Sequence, residues 1–303
     1  TYEDLWYNGW CDKCDELRVF FYVPLLETTL TKNNKDEKIY TLNLNSNVFQ
    51  LINDIRIFKN LNIPLPGFAT HVWEQKARLQ KSFDGLKYVL NEYQIVKRNV
   101  PQVLKALVQP AFIGIEDILS DFTTKHTWMS PDIYSNIHSI EKMLSYLKEL
   151  VGQLNEILQL QVEKNIKKFR SYKILDFDTM NEPTNHNKRN KKSSKKEKKS
   201  ELPSIDGFIM NAETKIDECS KHLQAVQAST ESSILRLFEL IQTNIPATKS
   251  PQFKEKFDEF IVYYNRNMIM ASEHIIFDVL NNFKTHLSSG ASASFMFMFS
   301  PLF

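Results

Sequence analysis

The residues best suited to chemistry are three cysteines, seven histidines and one dense run of cations. Cys11-Asp12-Lys13-Cys14 is a C-x-x-C, half of what a tetrahedral zinc site requires. No second C-x-x-C or H-x-x-x-H lies near it to complete the set, and the third cysteine, Cys219, lies far off on a helical stripe. A thioredoxin-like redox role needs a strand–helix–strand context that this stretch lacks. The C-x-x-C therefore reads as structural. His71, His126, His138, His186, His222, His274 and His286 form neither H-E-x-x-H nor a helical pair four apart. Acidic neighbours such as Glu116-Asp117 and Asp217-Glu218 read as solvated helix charges. Neither G-x-S-x-G nor a P-loop pattern is present, and the seven glycines are too scattered for a phosphate cradle. No catalytic, cofactor-binding or metal-ligating residue is expected, and no cofactor.

The sharp electrostatic feature is the run from 188 to 199. Lys188, Arg189, Lys191, Lys192, Lys195, Lys196, Lys198 and Lys199 face one acid, Glu197, for a local charge of +7 in a chain of net charge +2. The rest of the chain is therefore mildly acidic, which argues against nucleic acid as its partner. The basic run lacks the apolar residues to bury itself and is expected to be a disordered, solvated insertion loop over 181–203. It is also the possible interaction loop, for acidic lipid, RNA or an acidic protein tail.

The elements around these residues follow from spacing. From Ser130 to Phe169, large apolar residues recur every three or four positions: Ile133, Ile137, Ile140, Leu144, Leu147, Val151, Leu154, Leu158, Val162, Ile166 and Phe169. That is one helical face. Ser130 before Pro131 and Asp132 reads as an N-cap, and Lys164 to Arg170 as the basic last turn. A stripe this long needs partner helices along its length.

The chain supplies them. A helix is expected over Glu16–Glu27, then a short extended segment near 38–45, where Ile39, Thr41 and Asn43 alternate with Tyr40, Leu42 and Leu44. Helices follow from a Ser46 cap to Asn60, over 68–98, and from Pro101 to Lys125 with a kink at Pro110. Beyond the basic run come helices from Ser204 to about Asn244 and over 253–287. The expected fold class is all-α: elongated, stacked antiparallel helical bundles with one short extended segment. The expected division is 1–45 as the end of a preceding bundle, 46–180 as a first bundle portion, 181–203 as the insertion, 204–288 as a long hairpin and 289–303 as a truncated next element. Three cysteines make no disulfide framework, and no apolar run is long enough to span a membrane. The chain is expected to be a segment of a longer polypeptide.

Several stretches resemble the tail of dynein heavy chains. Trp10 followed by Pro24-Leu25-Leu26 is similar to that family's W…PLL lead-in, and Leu42-Asn43-Leu44-Asn45 takes the place of its V-N-F-D. Leu51 to Leu61 resembles the L-I-R-E-V-K-Y-L helix, Ile63-Pro64-Leu65-Pro66 the turn after it, and Asn91-Glu92-Tyr93 the L-x-x-Y-N helix end. Thr127-Trp128-Met129-Ser130 with Ile133 resembles the L-T-W-x-S opening of the next helix. The resemblance runs from Trp10 to Phe303 and favours an axonemal, outer-arm type. Asn43's segment lacks the aromatic and the acid of V-N-F-D, and the basic run departs from the family pattern.

The resemblance implies a non-catalytic stalk that transmits force in a microtubule motor at the ciliary axoneme, with the ATPase ring outside these residues. Implied partners are other dynein heavy chains, intermediate and light chains, and docking factors on the microtubule doublet. Alternatives are another helical-rod scaffold, such as a vesicle-tethering subunit, or a lipid- or RNA-binding module acting through the basic run.

Overall fold

The computed structural model describes residues 2–30, 38–174, 205–245 and 251–288. The possible interaction loop, Lys188 to Lys199, lies outside the described residues. The described chain is all-α apart from one two-stranded sheet. It divides into two compact units, residues 1–153 with 244–247, and residues 154–243 with 248–303.

The first unit opens with α1 (Tyr2–Arg18), where the sequence suggests a helix over Glu16–Glu27. Pro24 and the β-branched pair Thr28-Thr29 explain the difference. The backbone leaves the helix after a 3-10 turn at Val19–Phe21 and enters strand β1 (Leu26–Leu30). β1 pairs antiparallel with β2 (Lys38–Leu42), Leu26 opposite Leu42 and Thr28 opposite Tyr40. The expected extended segment is thus one half of a hairpin.

Helix α2 (Asn47–Asn60) buries Val48, Leu51, Ile55 and Phe58. Its first turn is capped by Asn45, whose Oδ1 accepts the Asn47 N–H at 2.9 Å; Ser46 makes no side-chain cap. The helix ends before the prolines. Asn62 sits at φ 54°, and the Ile63 N–H donates to Phe58 O at 2.9 Å while the Asn62 N–H donates to Lys59 O at 3.2 Å. These are the two bonds of a Schellman cap, and asparagine tolerates the left-handed backbone that the cap requires.

Helix α3 (Gly67–Asn99) buries Val72, Leu79, Leu86, Leu90, Tyr93 and Val96 on one face. Gly85 marks its closest approach to the next long helix. A Cβ there would lie 3.2 Å from Ile137 Cγ2, so the small residue lets the two backbones pack tightly. The stretch after Pro101 is more broken than one kink. A 3-10 turn at Gln102–Leu104, α4 (Lys105–Val108), a second 3-10 turn at Gln109–Phe112 carrying Pro110, and α5 (Ile113–Phe122) follow in succession. The missing N–H of Pro110 accounts for the break in the ladder.

Helix α6 (Ile133–Glu156) begins after a turn and not at Ser130. Ser130 Oγ points back and accepts the Thr127 N–H at 3.0 Å, while Asp132 O accepts the Asn136 N–H at 3.2 Å.

In the second unit, a π-helical segment at Ile157–Glu163 leads into α7 (Lys164–Arg170). The sequence contains the reason. Leu154, Leu158, Val162 and Ile166 are spaced by fours. At about 100° per residue, each such step overshoots an α turn by about 40°. Three steps would carry the stripe far round an α-helix. The wider π turn, bonded i to i+5, holds the extra residue and keeps Leu158 and Val162 buried. Helices α8 (Ile205–Asn244) and α9 (Pro251–Ser288) complete the unit. Phe169 of α7, Val226 of α8, and Ala271 and Ile275 of α9 share one core. Phe238 of α8 packs on Phe257 of α9 with ring centroids 4.1 Å apart.

Trp128 is 1% exposed and its Nε1 donates to Asn43 O at 2.8 Å. Trp128→Phe should lower unfolding free energy by roughly 1–3 kcal/mol through the orphaned carbonyl and lost volume, and Trp128→Ala by roughly 3–5 kcal/mol. Urea unfolding of the two variants beside the parent chain checks the order.

Candidate interaction site

Three chain segments far apart in sequence meet at Trp128. Pro24 and Thr127 form an isolated antiparallel bridge, and the Leu25 N–H donates to His126 O at 3.1 Å. The Asn43 N–H donates to Leu25 O at 2.9 Å, and Asn43 returns its own carbonyl to the indole. The segments Pro24-Leu25-Leu26, Leu42 to Asn45 and Thr127 to Ser130 are thereby joined in one knot. Only the backbone of Asn43 is used in these bonds, so they do not depend on the acid or aromatic that this segment lacks.

A cleft of about 530 Å³ opens beside the hairpin, lined by Lys38 and Tyr40 of β2, Tyr93 and Lys97 of α3, and Phe112 and Glu116 further on. Glu116 Oε1 accepts from Tyr93 Oη at 2.7 Å, from Lys97 Nζ at 3.3 Å and from Gln109 Nε2 at 3.5 Å. Lys97 Nζ also donates to Tyr93 Oη at 3.1 Å. Burial, with the charges of Glu116 and Asp117 behind it, pushes the Tyr40 hydroxyl above its ordinary range. The Glu116 carboxylate, holding three donors, clamps α3 to α5. A second clamp, Lys148 Nζ to Glu92 Oε2 at 2.9 Å, ties α6 to α3. That bond and the Glu92 charge raise the Lys148 ammonium.

The C-x-x-C lies on α1. Cys14 is buried and Cys11 half-buried, and both are free thiols. Burial first, then the charges of Cys11, Asp15 and Asp54, push the Cys14 thiol up to about 12. A thiol held protonated is neither a ready nucleophile nor a ready ligand. Cys219, in the other unit, is raised by burial as well. Among the described residues no group of three or more His, Cys, Asp or Glu side chains is placed to hold a metal, and no helix is long and apolar enough to cross a membrane. His138 pairs with Glu141 on its own helix at 3.4 Å. Sequence spacing alone gives no sign of the Tyr93–Lys97–Glu116 clamp, because Tyr93 and Lys97 sit on α3 and Glu116 on α5.

Residues 1–136 match the family described as dynein heavy chain, N-terminal region 1. The dynein axonemal heavy chain 5 of Rattus norvegicus is 21% identical over 170 residues, which is 56% of this chain and 5% of that protein. The dynein axonemal heavy chain 8 of Mus musculus is 19% identical over 166 residues, 55% of this chain and 3% of that protein. The Homo sapiens heavy chain 8 is 18% identical over 166 residues. The described fold is all-α apart from one hairpin, and the family match covers less than half of the chain. Over the matched residues the chain is similar to the N-terminal region of dynein heavy chains. The chain spans about one twentieth of these relatives or less. The matches also cover less of it than the resemblance from Trp10 to Phe303 implies.

Cys14 supplies a pH test. Its folded thiol holds a proton to about pH 12, against 9.0 for an ordinary thiol. The folded state therefore binds more protons between those values, so the contribution of Cys14 is complete below pH 9 and is lost as pH rises toward 12. Cys14→Ala should flatten the alkaline fall in stability relative to the parent chain and leave the curve below pH 9 parallel to it, as measured by denaturant midpoints across the range.

Proposed function

We propose that this chain is a stalk piece of an axonemal dynein heavy chain, at the ciliary axoneme. It transmits load along its helices and docks other heavy chains, intermediate and light chains, and docking factors of the microtubule doublet. The ATPase lies elsewhere in the parent chain. The observation that carries this reading is the Trp128 knot, in which three of the stretches that resemble dynein tails are joined by four backbone-directed contacts. The length of α8 and α9, 40 and 38 residues, suits load-bearing; at 1.5 Å per residue each reaches nearly 60 Å.

The purified chain is expected to bind axonemal doublets stripped of their dyneins, or to co-purify with dynein intermediate chains, and to turn over no ATP. Failure to bind both preparations, or measurable ATP hydrolysis, would overturn the reading. Binding to anionic liposomes or RNA that collapses between 50 and 200 mM salt would favour the lipid or RNA module instead.

We propose that the basic run is dispensable for the fold. Removing residues 188–199 should shift Tm by no more than about 2 °C, in keeping with the small effect of surface changes. It should also leave doublet binding at moderate salt intact. A larger loss in either measurement shows that the run is part of the scaffold.

A further inference from the structure

Helix α9 has two apolar faces. One carries Phe260, Tyr264, Ala271 and Ile275 and is buried against the unit's other helices. At about 100° per residue the opposite side carries a second stripe. Val262, Ile269 and Ile276 recur every seven residues, flanked by Tyr263, Met270 and Phe277 at the same period. These six are between 47% and 67% exposed, whereas solvent-facing helix sides are ordinarily polar. A stripe that repeats every seven residues over about four turns fits another straight helix, because each side chain then meets a matching gap in its partner.

Two charges sit on the midline of this stripe, Arg266 and Glu273, and both are exposed. Their placement selects the occupant. If a second copy of α9 lies antiparallel, with the two-fold axis near Ile269, Arg266 of each chain falls beside Glu273 of the other, and the contact occurs twice. Ile269 and Met270 then lie between the two ion pairs, and Val262 and Ile276 extend the seam just outside them. A parallel pairing would instead set Arg266 against Arg266 and Glu273 against Glu273 on the seam, which is repulsive at both ends. We infer that the outer face of α9 is a self-pairing surface, on which a second copy of this chain docks antiparallel through Val262, Ile269 and Ile276 with reciprocal Arg266–Glu273 pairs. The stripe is about 22 Å long from Val262 to Phe277 at 1.5 Å per residue. That is short beside a standard interface, so the dimer is a weak, concentration-dependent one. The inference goes beyond the tail reading and does not rest on it, since it concerns only this chain with itself.

The test is sedimentation equilibrium of the whole chain over about 1–200 μM, a span that brackets weak association. The parent chain should shift from monomer to dimer. Arg266→Glu puts acid against acid at both pairs, and Glu273→Arg puts base against base. Each alone should raise Kd by about tenfold or more. The double variant Arg266→Glu/Glu273→Arg should self-associate as the parent does. An equimolar mixture of the two single variants should form mixed dimers that neither forms by itself. All three positions changed are exposed, and circular dichroism identifies any variant that has lost its helices; Ile269→Asp then serves as the second disrupting change. A parent chain that stays monomeric throughout, single variants that dimerise like the parent, or a mixture without rescue would each overturn the proposal. Doublet binding is measured separately, so its failure and the failure of self-pairing are told apart.

Discussion

A tryptophan buried to 1% exposure still carries one polar atom, and that atom has to find an acceptor away from water. In this chain the acceptor is Asn43 O, a carbonyl 85 residues earlier in sequence. To present it, the hairpin must end where it does, and the Asn43 N–H must itself be held by Leu25 O. Leu25 in turn is held by His126 O, two residues from the indole. The circuit is closed, so each member fixes the others. Around it the first unit assembles: α2 and α3 bury their stripes beneath the hairpin's end, and α6 leaves the turn that Ser130 closes.

Aromatic residues carry the same logic to the N-terminus. Trp10 stacks on Phe58 at 4.1 Å and Trp6 on the same ring at 5.4 Å, so α1 is fastened to the end of α2 by large flat contacts. Tyr7 adds a bond to Pro64 O at 3.0 Å, which ties α1 to the turn after α2 as well. The prolines of that turn thus do more than interrupt a helix. They leave a carbonyl free for a tyrosine from another element.

Helices were legible because apolar period survives in one dimension. The stripe of α6 falls where spacing places it, with Ile133, Ile137, Ile140, Leu144, Leu147, Val151 and Leu154 all buried. What was illegible depends on backbone partners. Leu26 to Leu30 has no alternation to mark it as a strand until β2 is beside it. Ser46 and Ser130 have the right type for caps, yet Asn45 takes one role and the other hydroxyl turns backwards. Ile216, an apolar residue within α8, is 55% exposed, because nothing in the periodicity says how far along a helix its partners reach. The clamp at Glu116 draws on three elements, and no single window of sequence contains it.

The π segment at 157–163 has a consequence of its own. A helix with an enlarged turn has a place where one residue can be gained or lost while the flanking stripes keep their facing. Strict α spacing would rotate everything downstream by about 100° for the same change. Evolution therefore has a point here at which length can drift without scrambling the core.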